Sequence, residues 1–156
     1  MPKENRQNKR LAVFLWCCVA ICMAVIFYFS SRPADISSQQ SGFIRRILES
    51  IFGVSTTTDY IVRKLAHFSE FLGLSLLTNA ALYFSYGKTR KFIATGASSL
   101  YAITDEVHQI FVDGRSCQLT DWLIDTAGAV TGLLIFLILY FIIDRLRSNS
   151  NNRRKK

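Results

Sequence analysis

Ten side chains in this sequence combine the types and spacings that chemistry needs, nine of them in three short stretches and one in a loop. The first is RKLAHFSEF at residues 63–71, carrying Lys64, His67 and Glu70; the second is TDEVHQIF at 104–111, carrying Asp105, Glu106, His108 and Gln109. After the loop residue Arg115, the third is DWLID at 121–125, with Asp121 and Asp125. A histidine beside a carboxylate is the usual pairing for general acid/base or nucleophilic work, because the acid orients the ring and stabilises its cation. On this pattern His67 or His108 is the acid/base or nucleophile, and Glu70, Asp105 or Asp125 orients it. Lys64 or Arg115 would hold a phosphate or carboxylate, while Glu106, Gln109 and Asp121 complete the binding set. The competing interpretation is structural: each histidine bonds a neighbouring acid and only packs helices. His67, Glu70, His108 and Asp105 also include donors that suit a metal, but their spacing matches no compact motif such as H-E-x-x-H. Ser30, Ser31, Ser37, Ser38 and Ser41 supply hydroxyls that a histidine could activate, although serine is equally ordinary in loops.

Helical phase lets each stretch act as a unit. Lys64, His67 and Glu70 recur at i, i+3, i+6; Asp105, His108 and Gln109 at i, i+3, i+4; Asp121 and Asp125 at i, i+4. Each set makes one polar stripe on an α-helix. Glu106 points about 100° away from Asp105, toward the edge of the cluster or a neighbouring helix.

These groups sit in an apolar chain. Half of the 156 residues are hydrophobic, yet Lys+Arg exceeds Asp+Glu by 19 to 11, a net charge of +8. The basic residues gather at the ends of apolar runs, with no Arg/aromatic binding face and no nucleic-acid motif, so they are topology signals and not a nucleic-acid surface. Four runs are long enough to span hydrocarbon, which takes about 20 residues: roughly 11–30, 65–84, 92–111 and 122–143. Residues 1–10 precede them as a basic head and 144–156 follow as a basic tail. The first run lacks a clear small-residue cleavage site and is taken as an uncleaved span. Cys17, Cys18 and Cys22 lie inside it and Cys117 in a loop, so no disulfide framework is expected.

Lys and Arg concentrate before span one, between spans two and three, and after span four, which places both termini in the cytoplasm. The ends of spans two, three and four that carry the three polar stretches then all face outward. At about 1.5 Å rise per residue, Glu70 and Asp105 lie roughly 9 Å below that face. The expectation is an all-α integral membrane protein with an outward-facing polar pocket built by spans two, three and four. In the first outer loop, SGFIRRILESIFG places Phe43, Ile44, Ile47, Leu48, Ile51 and Phe52 on one face, an amphipathic interfacial helix that would roof the pocket. In span four, Gly128 and Gly132 form G-x-x-x-G, a close-packing face.

The joint pattern of R-K-x-A-H-F-x-E-F at 63–71, Y-A-I-T-D-E-V-H-Q-I-F-V-x-G-R at 101–115 and D-W-L-I-D-T-x-G-x-x-x-G at 121–132 resembles the VanZ-like family of bacterial membrane proteins. The serine-rich exit S-S-R-P-A-D-I-S from span one is similar too. Arg32 stands where a glutamine is expected and Asp113 where a proline is common. The resemblance implies a phenotype, reduced susceptibility to the lipid-tailed glycopeptide teicoplanin, and with it a lipid-linked or cell-wall substrate or ligand. It assigns no catalytic residue. A non-enzymatic binder or sensor with a structural polar core is the main alternative. A proton-coupled transporter fits less well, since the inner halves of the spans carry no charge. Nothing in the sequence specifies a cofactor, a metal, the substrate or the oligomeric state.

Overall fold

The computed structural model describes residues 3–33 and 57–153. The amphipathic helix expected at 43–52, together with Ser37, Ser38 and Ser41, lies outside them. Within them the chain forms α1 (Lys3–Ser30), α2 (Thr57–Tyr86), α3 (Lys91–Gln109) and α4 (Leu119–Arg153), with no strand. The expected all-α class is therefore present.

The boundaries differ from the hydropathy runs in informative ways. α2 begins at Thr57, eight residues before its apolar run, because the polar segment Thr57–Lys64 continues the helix on whose first turns the charged groups stand. α3 ends at Gln109, so Ile110 and Phe111 belong to the turn that follows and not to the span. α4 runs ten residues beyond the apolar run that ends at 143. Two segments, Asn8–Ser30 and Leu119–Ser150, are long and apolar enough to cross a membrane. α2 and α3 carry more polar residues; α2 is largely shielded by its neighbours, whereas α3 leaves Phe92, Leu100 and Val107 exposed.

Side-chain contacts fix the helix directions. Trp16, midway along α1, donates its indole N–H to Ser85 at the end of α2 (3.1 Å), while Cys22, further along α1, lies in electrostatic range of Glu70, further back in α2, so these two run antiparallel. Tyr101 of α3 donates its hydroxyl to the Met23 carbonyl of α1 (2.8 Å), and Asp105 meets Ser30 further along in both, so α1 and α3 run parallel. α2 and α4 are also parallel, since Lys64 pairs with Asp121 near their starts while Tyr83 packs on Phe136 and Tyr140 toward their ends. The result is an up-down-up-down bundle.

The core runs down its middle, where Val19 and Ile26 of α1 meet Phe71, Leu74 and Ala81 of α2 and Ala102 of α3. Two buried donors along α2 are met within the helix: Thr78 donates to the Leu74 carbonyl (2.8 Å) and Asn79 to the Ser75 carbonyl (2.9 Å). Between α3 and α4, Trp122 donates to Ser99 (3.2 Å), which in turn bonds Thr126 (2.9 Å). The outer surface is apolar to a degree water would not tolerate. Val13, Phe14, Ile21 and Phe27 along α1 and Leu134, Ile138 and Phe141 along α4 are all exposed.

Gly128 and Gly132 make the α2–α4 contact possible. A Cβ on Gly128 would overlap the carbonyl oxygen of Phe68, and one on Gly132 that of Leu72, so the two backbones touch where the glycines lack side chains. Gly87, with φ 67°, ends α2 by presenting its N–H to the Tyr83 carbonyl (2.8 Å) in the left-handed conformation glycine adopts without penalty. Gly128→Ala is expected to destabilise the bundle by about 1–3 kcal/mol through overpacking against α2. Gly73→Ala, with nothing within 4 Å of its Cβ position, should be neutral or stabilising. Unfolding of the two variants in detergent micelles, followed by circular dichroism, distinguishes them.

Candidate functional site

All of the polar stretches converge at one end of the bundle, where α1 and α3 finish and α2 and α4 begin. They form two layers with different partners.

The first layer joins α1 to α3. Ser30 is the last residue of α1 and is buried; its hydroxyl donates to Asp105 Oδ2 at 2.8 Å. Gln109, one helical turn beyond Asp105, donates from Nε2 to the same oxygen (3.0 Å) and to Ser30 Oγ (2.9 Å), closing a three-membered network. The next serine points elsewhere. Ser31 Oγ lies 3.1 Å from His108 Nε2 and donates to the Phe27 carbonyl at 2.6 Å. The imidazole stacks on the Phe27 ring, with centroids 4.4 Å apart.

The second layer joins α2 to α4. Lys64 forms an ion pair with Asp121, both nearly buried. One turn deeper, His67 Nδ1 faces Asp125 Oδ1 at 3.6 Å, just beyond hydrogen-bond length. The i, i+3 step from Lys64 to His67 and the i, i+4 step from Asp121 to Asp125 advance both helices by one turn. Parallel packing through the two glycines therefore matches the pairs in depth.

Two side chains tie the layers to the loop. Glu106 Oε2 accepts the backbone N–H of Gln118 (2.9 Å), the residue just before α4, so a carboxylate sits where the positive end of that helix dipole favours one. Arg115 does the converse for α1. Its Nε donates to the Arg32 carbonyl (2.9 Å) and a terminal nitrogen to the Phe29 carbonyl (3.1 Å), so the guanidinium caps the negative end of α1. Gly114, at φ 73°, turns the chain between Val112 and Arg115 to bring it there. Burial pulls the Arg115 guanidinium down from its ordinary value and Arg63 adds to the effect, while Asp105, Glu70 and Glu106 oppose it. Arginine remains a cation throughout the physiological range.

Glu70 is half-buried on α2, in electrostatic range of Asp105 and Arg115. The two histidines do not share partners: His67 faces α4 and His108 faces α1. Among the described residues, no group of three or more His, Cys, Asp or Glu side chains could hold a metal ion. His67, Glu70, Asp105 and His108 are accordingly split between two layers. A separate cavity of about 320 Å³ lies toward the other end, between α2 and α4, lined by Tyr83, Phe84, Phe136 and Tyr140 with Asp144. It is apolar and none of the ten side chains reaches it.

Reasoning from the stripes alone builds the cluster from three helices and misses α1. Ser30 and Ser31 supply the partners of Asp105 and His108, which makes it a four-helix arrangement. The signal in the sequence was the serine pair at the exit of the first apolar run.

Several buried acceptors remain unmatched. Both carboxylate oxygens of Asp125, Oδ1 of Asp105 and Oε1 of Glu106 accept no hydrogen bond from a described residue, and His67 Nδ1 is likewise unpartnered. Removing the guanidinium in Arg115→Ala takes two charged hydrogen bonds from the end of α1. The expected loss is about 1.5–3 kcal/mol of stability for a bond of this kind, read from unfolding by SDS titration in mixed micelles.

No curated protein and no solved structure matches this chain. Residues 14–140, most of its length, match the VanZ/LLP1 family, and this chain, with two helices long and apolar enough to cross a membrane, belongs to that family.

Proposed function

We propose that the four helices all span the membrane with both termini in the cytoplasm. The polar cluster then opens outward as a pocket that binds or acts on a cell-envelope or lipid-linked component and so lowers susceptibility to teicoplanin. The arrangement of basic residues supports the orientation, because the flanks of the opposite end carry Lys9, Arg10, Lys88, Arg90, Lys91 and Arg145. The alternating helix directions are those of four successive crossings.

The observation that carries the reading is Asp125. It is fully buried, and among the described residues neither of its carboxylate oxygens has a hydrogen-bond partner. A buried acceptor left unmatched costs about 1–3 kcal/mol, and more when charged. Groups kept at that cost inside a membrane protein are the ones that receive a ligand, a proton or water during function. His67, 3.6 Å away, is placed to share a proton with it. Lys64 and Asp121 close the same face one turn nearer the surface.

A second reading has its own support. Arg115, Glu106, Gln109 and Ser30 all bond within the protein, as a purely structural core would, and a non-enzymatic binder or sensor needs nothing more. Asp125→Asn separates the two, since it preserves volume and removes the acid. In cells producing equal amounts of correctly inserted protein, the pocket reading expects Asp125→Asn to raise teicoplanin susceptibility to the level of cells lacking the protein. Resistance unchanged by Asp125→Asn and by Glu70→Gln would sink it in favour of the structural core.

A further inference from the structure

The function proposed above leaves one feature unused. Ser31 and His108 are both half-buried, and their Oγ and Nε2 atoms lie 3.1 Å apart. We infer that Ser31 is a nucleophile activated by His108, in a site for acyl transfer from a carboxylic ester of a membrane amphiphile. The inference rests on the outward placement of this helix end.

Three observations lead there. The hydrogen-bond distance is that of a nucleophile and its base, and the ring is held in place by stacking on Phe27. Asp105 lies within electrostatic range of His108, so the imidazolium formed when the hydroxyl proton moves has a carboxylate to stabilise it. Arg115, anchored on the carbonyls of Phe29 and Arg32, holds a fixed positive charge at the same end of α1, where an oxyanion would otherwise meet the negative end of the helix dipole.

Depth and surroundings select the substrate. Asn8–Ser30 is a 23-residue apolar segment, roughly 34 Å long, against a hydrocarbon thickness of about 30 Å. Ser31 is the residue just past it, at the boundary where the ester carbonyls of a bilayer lipid lie. Phe27, Val107, Ile110 and Phe111 are exposed around the pair and offer an apolar surface to an acyl chain.

The hydroxyl proton of Ser31 has two acceptors, the Phe27 carbonyl and His108 Nε2, and attack uses the second. Ser31 Oγ bonds to the ester carbonyl carbon as its proton passes to Nε2. The tetrahedral adduct collapses by breaking the bond to the alcohol, which leaves with that proton. The acyl group, now esterified to Ser31, is released to water or to an acceptor hydroxyl, whose proton follows the same path through His108.

The full chain in lipid nanodiscs, treated with a long-chain alkyl fluorophosphonate and digested for peptide mass spectrometry, provides the test. The phosphonyl adduct is expected on Ser31, with its rate of formation reduced about a hundredfold or more in His108→Gln. Labelling should be absent from that peptide in Ser31→Ala, whose thermal unfolding confirms a folded chain. A folded wild-type chain unmodified at Ser31 overturns the inference, as does labelling that His108→Gln leaves unchanged. If His108→Gln unfolds, a short-chain fluorophosphonate replaces it: reaction at Ser31 as fast as with the long-chain probe removes the acyl-chain site and overturns the assignment. Ser31 unlabelled while Asp125→Asn abolishes resistance would discard acyl transfer and leave the binding pocket standing.

Discussion

A carboxylate carried into an apolar helix bundle has no bulk water to hydrate it, so whatever compensates it must come from neighbouring helices. That constraint organises this molecule. Asp105, Glu106, Asp121 and Asp125 are all buried; the first three lie within about a turn of a helix end, where backbone groups and loop side chains are in reach, and Asp125 lies nearly two turns in. Asp121 has Lys64, Asp105 has Ser30 and Gln109, and Glu106 has the Gln118 amide. Of these four, Asp125 alone has neither oxygen hydrogen-bonded by a described residue. The acids are thus graded from fully engaged at the surface of the cluster to unengaged at its centre.

The two glycines of α4 matter because of this grading. Close approach of α2 and α4 at Phe68 and Leu72 sets His67 opposite Asp125 and Lys64 opposite Asp121. A larger separation would leave Asp121 without its cation and open the centre of the cluster. Packing and electrostatics are therefore one design: the backbone contact brings the two helices into dispersion contact, and it sets the distance at which the charges meet.

Much of this was legible in the residues. Hydropathy and the periodic spacing of polar side chains located four helices and put Lys64, His67, Glu70, Asp105, His108, Gln109, Asp121 and Asp125 at one end, since both features depend only on local order along the chain. G-x-x-x-G marked the packing face for the same reason. The partners were not legible. Which histidine faces which acid depends on the rotation of each helix about its axis, and a stripe shared by three helices does not reveal that the first helix supplies the hydroxyls. Arg115 shows the same limit. As a cation in a loop it resembled an anion-binding group, yet two of its donors are committed to carbonyls of α1, a contact spanning more than eighty residues.

Ser30 and Ser31 show how finely rotation about the helix axis divides these roles. Consecutive residues at a helix end differ by about 100° in direction, so identical hydroxyls enter different surroundings. Ser30 turns inward, is buried and donates to Asp105, and its oxygen is further occupied by Gln109; it has no freedom to react. Ser31 turns toward the bundle surface, where its neighbours are an imidazole and exposed aromatic rings. One serine fixes the acid whose charge reaches His108, and the other meets that histidine directly. The pairing of Asp105 with His108 on one turn of α3 and of Ser30 with Ser31 at the end of α1 places a structural contact and a reactive one side by side, so the same packing that buries the first presents the second.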